Sequence, residues 1–208
     1  MKRFFFLGLN FAIVAFSLWV HDMVRVWMAG RLGDPETAAR QRSADNPFAR
    51  IDWIGSALLP LFLLFRGLSV LGWTRPLEIK LENLRRPYRD GLLIAAAGPV
   101  ANLLLALFGI GLIRSLTATG WLTSSPLLLQ ILISFCLINA CLGVFNLLPI
   151  PPLAGGAAAE LFLSGDALSA FEDIKPYGFI LLLAGAFFNF FDFLTLPLTR
   201  LVNALLGF

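Results

Sequence analysis

The chain's only histidine, His21, lies in a long apolar block, next to Asp22 and four residues before Arg25. On a helix, positions four apart share a face. Two histidines at that spacing, with a glutamate directly after the first, form the H-E-x-x-H zinc motif. There both imidazoles hold the metal and the carboxylate activates its bound water. Here the three positions read His21, Asp22 and Arg25. Aspartate keeps the carboxylate but is one methylene shorter. A guanidinium is permanently charged and has no lone pair for a metal. With one histidine in 208 residues, no two-histidine site can form anywhere in the chain. Cys136 and Cys141 are soft donors that could in principle join His21. Five apart in an apolar block, they face different sides of a helix and read first as small core residues, not as a disulfide.

The elements that must position these residues are membrane helices. The chain is 58% hydrophobic and 14% charged, with mean hydropathy +0.81, whereas soluble domains carry about 25% charged residues. The apolar residues come in blocks near the roughly 20 residues a helix needs to cross the hydrocarbon core. Backbone groups there must pair internally, so the spans are expected to be helical. The blocks are Phe4 to Met28, Ile54 to Trp73, Gly91 to Ile113, Pro126 to Leu148, and Phe179 to Phe208. The first is too long for a signal-peptide core and lacks a small-residue cleavage site, so it reads as a retained span. Pro60, Arg66 and Gly67 interrupt the second, which is either a kinked span or a re-entrant hairpin with Arg66 at its water-facing tip. The last is one span broken at Pro197 or two shorter segments.

Between the blocks, 31–52 and 74–90 are both basic, which places both on the cytoplasmic side. That requires an even number of crossings between them, so either the second block is re-entrant or one of the two loops departs from the rule. Pro76 to Glu82 alternates apolar and charged residues, a strand-like period of two. Asp34 before Pro35 reads as a turn or cap residue, Asp192 as interfacial, and Glu160 to Lys175 as a polar loop. Pro149, Pro151 and Pro152 exclude ordinary helix after the fourth block and predict an extended segment held within protein. The fold class expected is an all-α polytopic membrane protein. It has four to six transmembrane or re-entrant helices, a short extended or β segment at the membrane surface, and a single domain over 1–208. A net charge of +3 without a basic, aromatic-bearing soluble face excludes a nucleic-acid partner.

Five ordered stretches resemble the small prokaryotic form of the site-2 protease family of intramembrane zinc metallopeptidases. Arg31-Leu32-Gly33-Asp34-Pro35 resembles the loop after that family's zinc helix. Asn46 to Gly55 is similar to its N-P-x-x-H-I-D-P-x-G stretch, and Gly72-Trp73-Thr74-Arg75-Pro76 to its G-W-A-K-P segment. Ala97-Gly98-Pro99-Val100-Ala101-Asn102 matches A-G-P-x-A-N. Phe145 to Gly156 matches F-N-L-x-P-x-P-P-L-D-G-G.

The resemblance implies a cleft between the first, third and fourth blocks that admits an unwound transmembrane helix. It also implies a three-ligand zinc site. His21 stands at the first ligand and is a remnant only. Asp22 stands where the catalytic glutamate belongs, Arg25 at the second ligand, and Ala154 at the third, an aspartate. With two of three ligands replaced, no cofactor is expected and the chain is expected to be proteolytically inactive. It would bind or regulate membrane-protein segments through Asn102, Asn146, Pro149, Pro151, Pro152 and Gly155. Asn102 and Asn146 also read as interhelical hydrogen-bonding residues, and Arg25 as a side chain extended toward the basic loop. Two alternatives remain: a divergent active zinc peptidase, and a structural or transport protein whose Arg25 and Arg66 line a polar path. The expected location is a prokaryotic inner (cell) membrane, and the expected partners are lipid and a transmembrane helix of another protein.

Overall fold

The computed structural model describes residues 2–36, 52–67, 70–77 and 79–206. The basic residues Arg40, Arg42 and Arg50, and most of the Asn46 to Gly55 stretch, lie outside them. Three helices are long and apolar enough to cross a membrane, in α1 (Lys2–Leu32), α3 (Pro87–Ala118) and α4 (Pro126–Phe145). A fourth span is available if the helices from Gly165 to Phe187 and α8 (Asp192–Leu206), bent by 63°, count as one. Among the described residues these are three to four candidate spans, beside the shorter apolar helix Trp53–Arg66.

Helix α3 packs between α1 and α4, and these three form the frame. Their side chains are ordinary apolar ones. Val14 and Leu18 of α1 meet Ile138 and Leu142 of α4, and Ala106, Ile110 and Ile113 of α3 meet Cys136 and Ala140 of α4. Cys141 belongs to another cluster, with Phe145 and Trp73. The two thiols therefore serve packing on different sides of one helix, as their spacing implied.

The second apolar block does not span. A π-helical stretch, Trp53–Leu58, runs into α2 (Leu59–Arg66). Six and eight residues rise only about 20 Å, short of the ~30 Å hydrocarbon core. Gly67 then ends the helix at φ 71°, a left-handed cap open to glycine at no steric cost. The chain returns beside its own start: Trp73 N–H donates to Gly55 O (3.2 Å) and Ser56 Oγ to Trp73 O (2.8 Å). Asp52 locks this closure. One carboxylate oxygen caps Ile54 N and Gly55 N, and the other accepts from Trp73 Nε1, all at 3.0 Å. The indole is fully buried. Of the two readings open for this block, the geometry is that of a re-entrant hairpin. Arg66 lies at its turn, stacked over Phe62 at 5.8 Å.

Other expectations need correction. Among the described residues there is no strand. Residues 70–77 carry no regular secondary structure, and Leu81–Asn83 form a single 3-10 turn. The alternation at Pro76 to Glu82 has no neighbouring strand to pair with. The backbone is tied down by a side chain instead, Lys80 N–H donating to Asp34 Oδ2 (3.0 Å). Asp34 is thus a buried long-range clamp, also accepting from Asn83 Nδ2 (3.3 Å), and not merely a local turn residue. Beyond α4 the proline run forms successive tight turns rather than an extended segment: Leu148 N–H bonds Phe145 O, Ile150 N–H bonds Leu148 O, and Leu153 N–H bonds Ile150 O. The polar stretch Glu160 to Lys175 is largely helical, containing α6 (Gly165–Ile174) after α5 (Ala154–Glu160). The final break falls between α7 (Gly178–Phe187) and α8, where Asn189 adopts φ 57°. Pro197 lies inside α8.

Candidate functional site

The site starts at His21, 1% exposed on α1. Its Nδ1 lies 2.6 Å from Asn102 Oδ1 of α3. Asn102 Nδ2 donates to Ser17 O (3.2 Å) and to Asn139 Oδ1 of α4 (3.0 Å). Asn139 Nδ2 in turn donates to Phe135 O (2.9 Å). The direction of this chain is set from its far end. Phe135 O can only accept, so Asn139 must point Nδ2 there and offer its oxygen to Asn102. Asn102 must then offer its own oxygen to His21. Hence His21 donates from Nδ1, and Nε2 carries the lone pair. That nitrogen faces Gly98 of α3, where any Cβ would collide with it. The absence of a side chain at Gly98 lets α3 approach the imidazole closely.

Asn102 therefore joins all three framework helices, the interhelical role read for it from sequence. Asn139 was missed. It belongs to none of the five stretches, and a lone asparagine in an apolar helix carries no signal of its partner. Asn146 is also committed within the protein: its Nδ2 donates to Gly72 O and Leu142 O, both at 2.9 Å, tying the returning limb of the hairpin to the end of α4. Its carbonyl accepts from Gly155 N (2.7 Å).

One turn beyond His21, Arg25 is 4% exposed and borders a cavity of about 650 Å³. Its lining includes Pro76, Leu77 and Ile79, Pro151, Pro152 and Leu153, and Leu168 and Phe171 of α6. Glu160 and Lys175, both on this lining, pair with each other. Arg25 Nε has no hydrogen-bond partner, while Asp22 sits one turn back as the nearby opposite charge. Ala154 is buried and is not itself on the lining, though its chain neighbours Leu153 and Gly156 are. His21, Asn102, Asn146, Pro149 and Gly155 do not border the cavity; Pro151 and Pro152 do. Arg66 is not on this lining either. Among the described residues, no three His, Cys, Asp or Glu side chains gather as a metal-binding group.

Long apolar helices joined by a buried polar relay are those of a membrane protein. The comparisons carry this further. The chain is 31% identical over 174 residues to "Putative zinc metalloprotease YwhC" of Bacillus subtilis (strain 168), covering 82% of this chain and 75% of that one. It is 27% identical over 165 residues to "Putative zinc metalloprotease Rip2" of Mycolicibacterium smegmatis, covering 79% of this chain and 61% of that one. No protein-family model and no solved structure matches it. The chain belongs to the site-2 protease family of intramembrane zinc metallopeptidases.

Proposed function

We propose that this chain is a multi-pass member of the family that has lost its zinc site and binds membrane-protein segments in the former substrate cleft without cutting them. The observation that carries this reading is Arg25, a buried cation on the cavity wall at the position of the second ligand. Zinc is the metal the family implies, and the donors present do not fit it. His21 keeps one lone pair but turns it against Gly98. Arg25 offers none, and its charge would repel a dication. Ala154 has no donor atom. Asp22 remains close to Arg25, which suits an ion pair better than a metal-bound water.

The re-entrant hairpin supports a topology in which both basic segments, 31–52 and 74–90, face the same side. The positive-inside rule makes that the cytoplasmic side of the cell membrane. The test is metal analysis of the purified protein together with incubation against a transmembrane test peptide. No stoichiometric zinc and no cleavage are expected. Zinc that disappears on His21→Ala, accompanied by peptide cleavage, would establish an active enzyme and refute the proposal.

A further inference from the structure

The cavity has a chemical selectivity of its own. It is apolar apart from Tyr88 at its mouth, the Glu160–Lys175 pair and Arg25. The pair satisfies itself. Arg25 does not: it is 96% enclosed and its Nε is left without an acceptor. A guanidinium carries five N–H donors in a rigid fork. Asp22 supplies opposite charge from one turn back on the same helix. Among the described residues, Arg25 is the one lining cation without a carboxylate partner on the lining, so the cavity is the side from which a second acceptor would reach it.

We propose that the occupant is an apolar, non-helical segment of another membrane protein carrying one carboxylate side chain, and that this carboxylate pairs with Arg25. The inference rests on the cleft-binding function above and adds the class of partner. A carboxylate entering an apolar cavity is costly unless a fixed donor receives it. Arg25 is such a donor and can receive it through two parallel N–H bonds. A basic side chain on the segment would meet like charge and be rejected. A neutral amide would make the weaker, uncharged bond.

The occupant is polypeptide rather than a free amphiphile because of the walls. Pro76, Leu77 and Ile79 lie on non-helical chain, as do Pro151, Pro152 and Leu153. Their carbonyl groups can accept hydrogen bonds from the N–H groups of an extended partner, which an acyl chain does not have. The volume, about 650 Å³, lies within the roughly 300–1,000 Å³ of ligand pockets.

The experiment uses the full chain in nanodiscs and three fluorescent, Leu/Ala-rich 20-residue peptides, identical except for a central Glu, Gln or Lys. Affinities are read by anisotropy. The Glu peptide is expected to bind at least about tenfold tighter than the Gln peptide, with the Lys peptide weakest. The decisive quantity is the Glu/Gln ratio, which a general loosening of the fold does not move. Arg25→Met should bring it to about one. Arg25→Lys, which keeps the charge but not the fork, should leave it in between. Equal Glu and Gln affinities in the native chain, or a preference that survives Arg25→Met, would overturn this inference and leave cleft binding standing. Binding of none of the peptides would sink both. Competition by dodecanoate through Arg25, without any Glu preference among peptides, would assign the site to a lipid-derived anion instead.

Discussion

Replacing Asn102 with leucine tests whether the buried polar relay holds the three framework helices together. The substitution keeps the volume and removes the amide. Two groups are then stranded with no route to water: His21 Nδ1–H and Asn139 Oδ1, each with a single relay partner at Asn102. Ser17 O also loses a bond, but as a helix carbonyl it keeps its own backbone partner. Each stranded group costs about 1–3 kcal/mol in a protein interior. Interhelical hydrogen bonds inside membranes measure lower, about 0.6 kcal/mol on average and up to ~1.7. Together these put Asn102→Leu at about 2–4 kcal/mol. At roughly 2–4 °C per kcal/mol for a chain of this size, the thermal midpoint should fall by about 5–15 °C. The assay is thermal unfolding in detergent followed by tryptophan fluorescence, with the fully buried Trp73 as a reporter. Asn139→Leu breaks one relay bond and leaves Asn102 joined to Ser17 and His21, so it should cost about half as much. The pair His21→Leu with Asn102→Leu removes both ends of the shortest bond and should be less damaging than the two single losses added together. An Asn102→Leu midpoint equal to the native one would refute the relay, as would strict additivity in the pair.

Two further substitutions probe the close contacts. Gly98→Ala places a methyl group against the His21 ring, 2.7 Å from Cε1. It should cost about 1–3 kcal/mol by overpacking, and His21→Ala in the same chain should recover most of that loss; a Gly98→Ala protein with an unchanged melt would contradict the packing. Asp52→Ala removes a helix cap, worth about 1 kcal/mol, and the acceptor of a buried indole N–H, worth about 1–3 kcal/mol. Hydrogen exchange should speed up across 53–66 with little change in α3, and uniform protection would argue against the hairpin lock.

What the sequence made legible depended on how far apart the interacting residues lie. Spans α1, α3 and α4 were visible because a span is a local property, one run of apolar residues. Even the parity conflict between two basic loops pointed to the hairpin before Trp73 was placed beside Gly55. The site residues that belong to motifs, His21, Arg25, Asn102 and Ala154, were found by position. Asn139 was not, because its role exists only through a partner on another helix. Asp34 was placed as a local turn residue because its acceptors' partners, Lys80 and Asn83, lie 46 and 49 positions away. The alternating Pro76 to Glu82 segment misled for a related reason: a period of two describes which side chains are wet, and irregular chain on a surface can satisfy it without any neighbouring strand. For the last block, read as one span broken at Pro197 or as two shorter segments, the break falls at Asn189 and Pro197 lies inside α8, since proline only discourages helix whereas a left-handed residue ends it.

On the proposed loss of the zinc site, the two altered ligand positions and the altered base position make sense together as a charge balance. In the family's pattern a zinc dication faces one catalytic glutamate and one ligand aspartate, with neutral imidazoles, so the buried charges sum to zero. In this chain Arg25 contributes one positive charge, Asp22 one negative, and Ala154 none, and the sum is again zero. Replacing a dication with a monocation removes the need for one carboxylate, and the carboxylate that is missing is the one at 154. Buried charge is tolerated only when paired, which explains why these changes belong together and how single reversions should behave. Ala154→Asp alone adds an uncompensated carboxylate and Arg25→His alone takes the Arg25 charge away from Asp22, so each should destabilise the protein, the former by about 3–5 kcal/mol where the charge stays buried and ionised. Asp22→Glu, Arg25→His and Ala154→Asp combined leave two negative charges without metal and none with zinc. Zinc should therefore raise the thermal midpoint of the triple variant and leave that of the native protein unchanged. A folded triple variant whose midpoint ignores zinc would mean that His21 and residue 154 no longer converge on one point, and that the cleft has been rebuilt around Arg25 rather than merely neutralised by it.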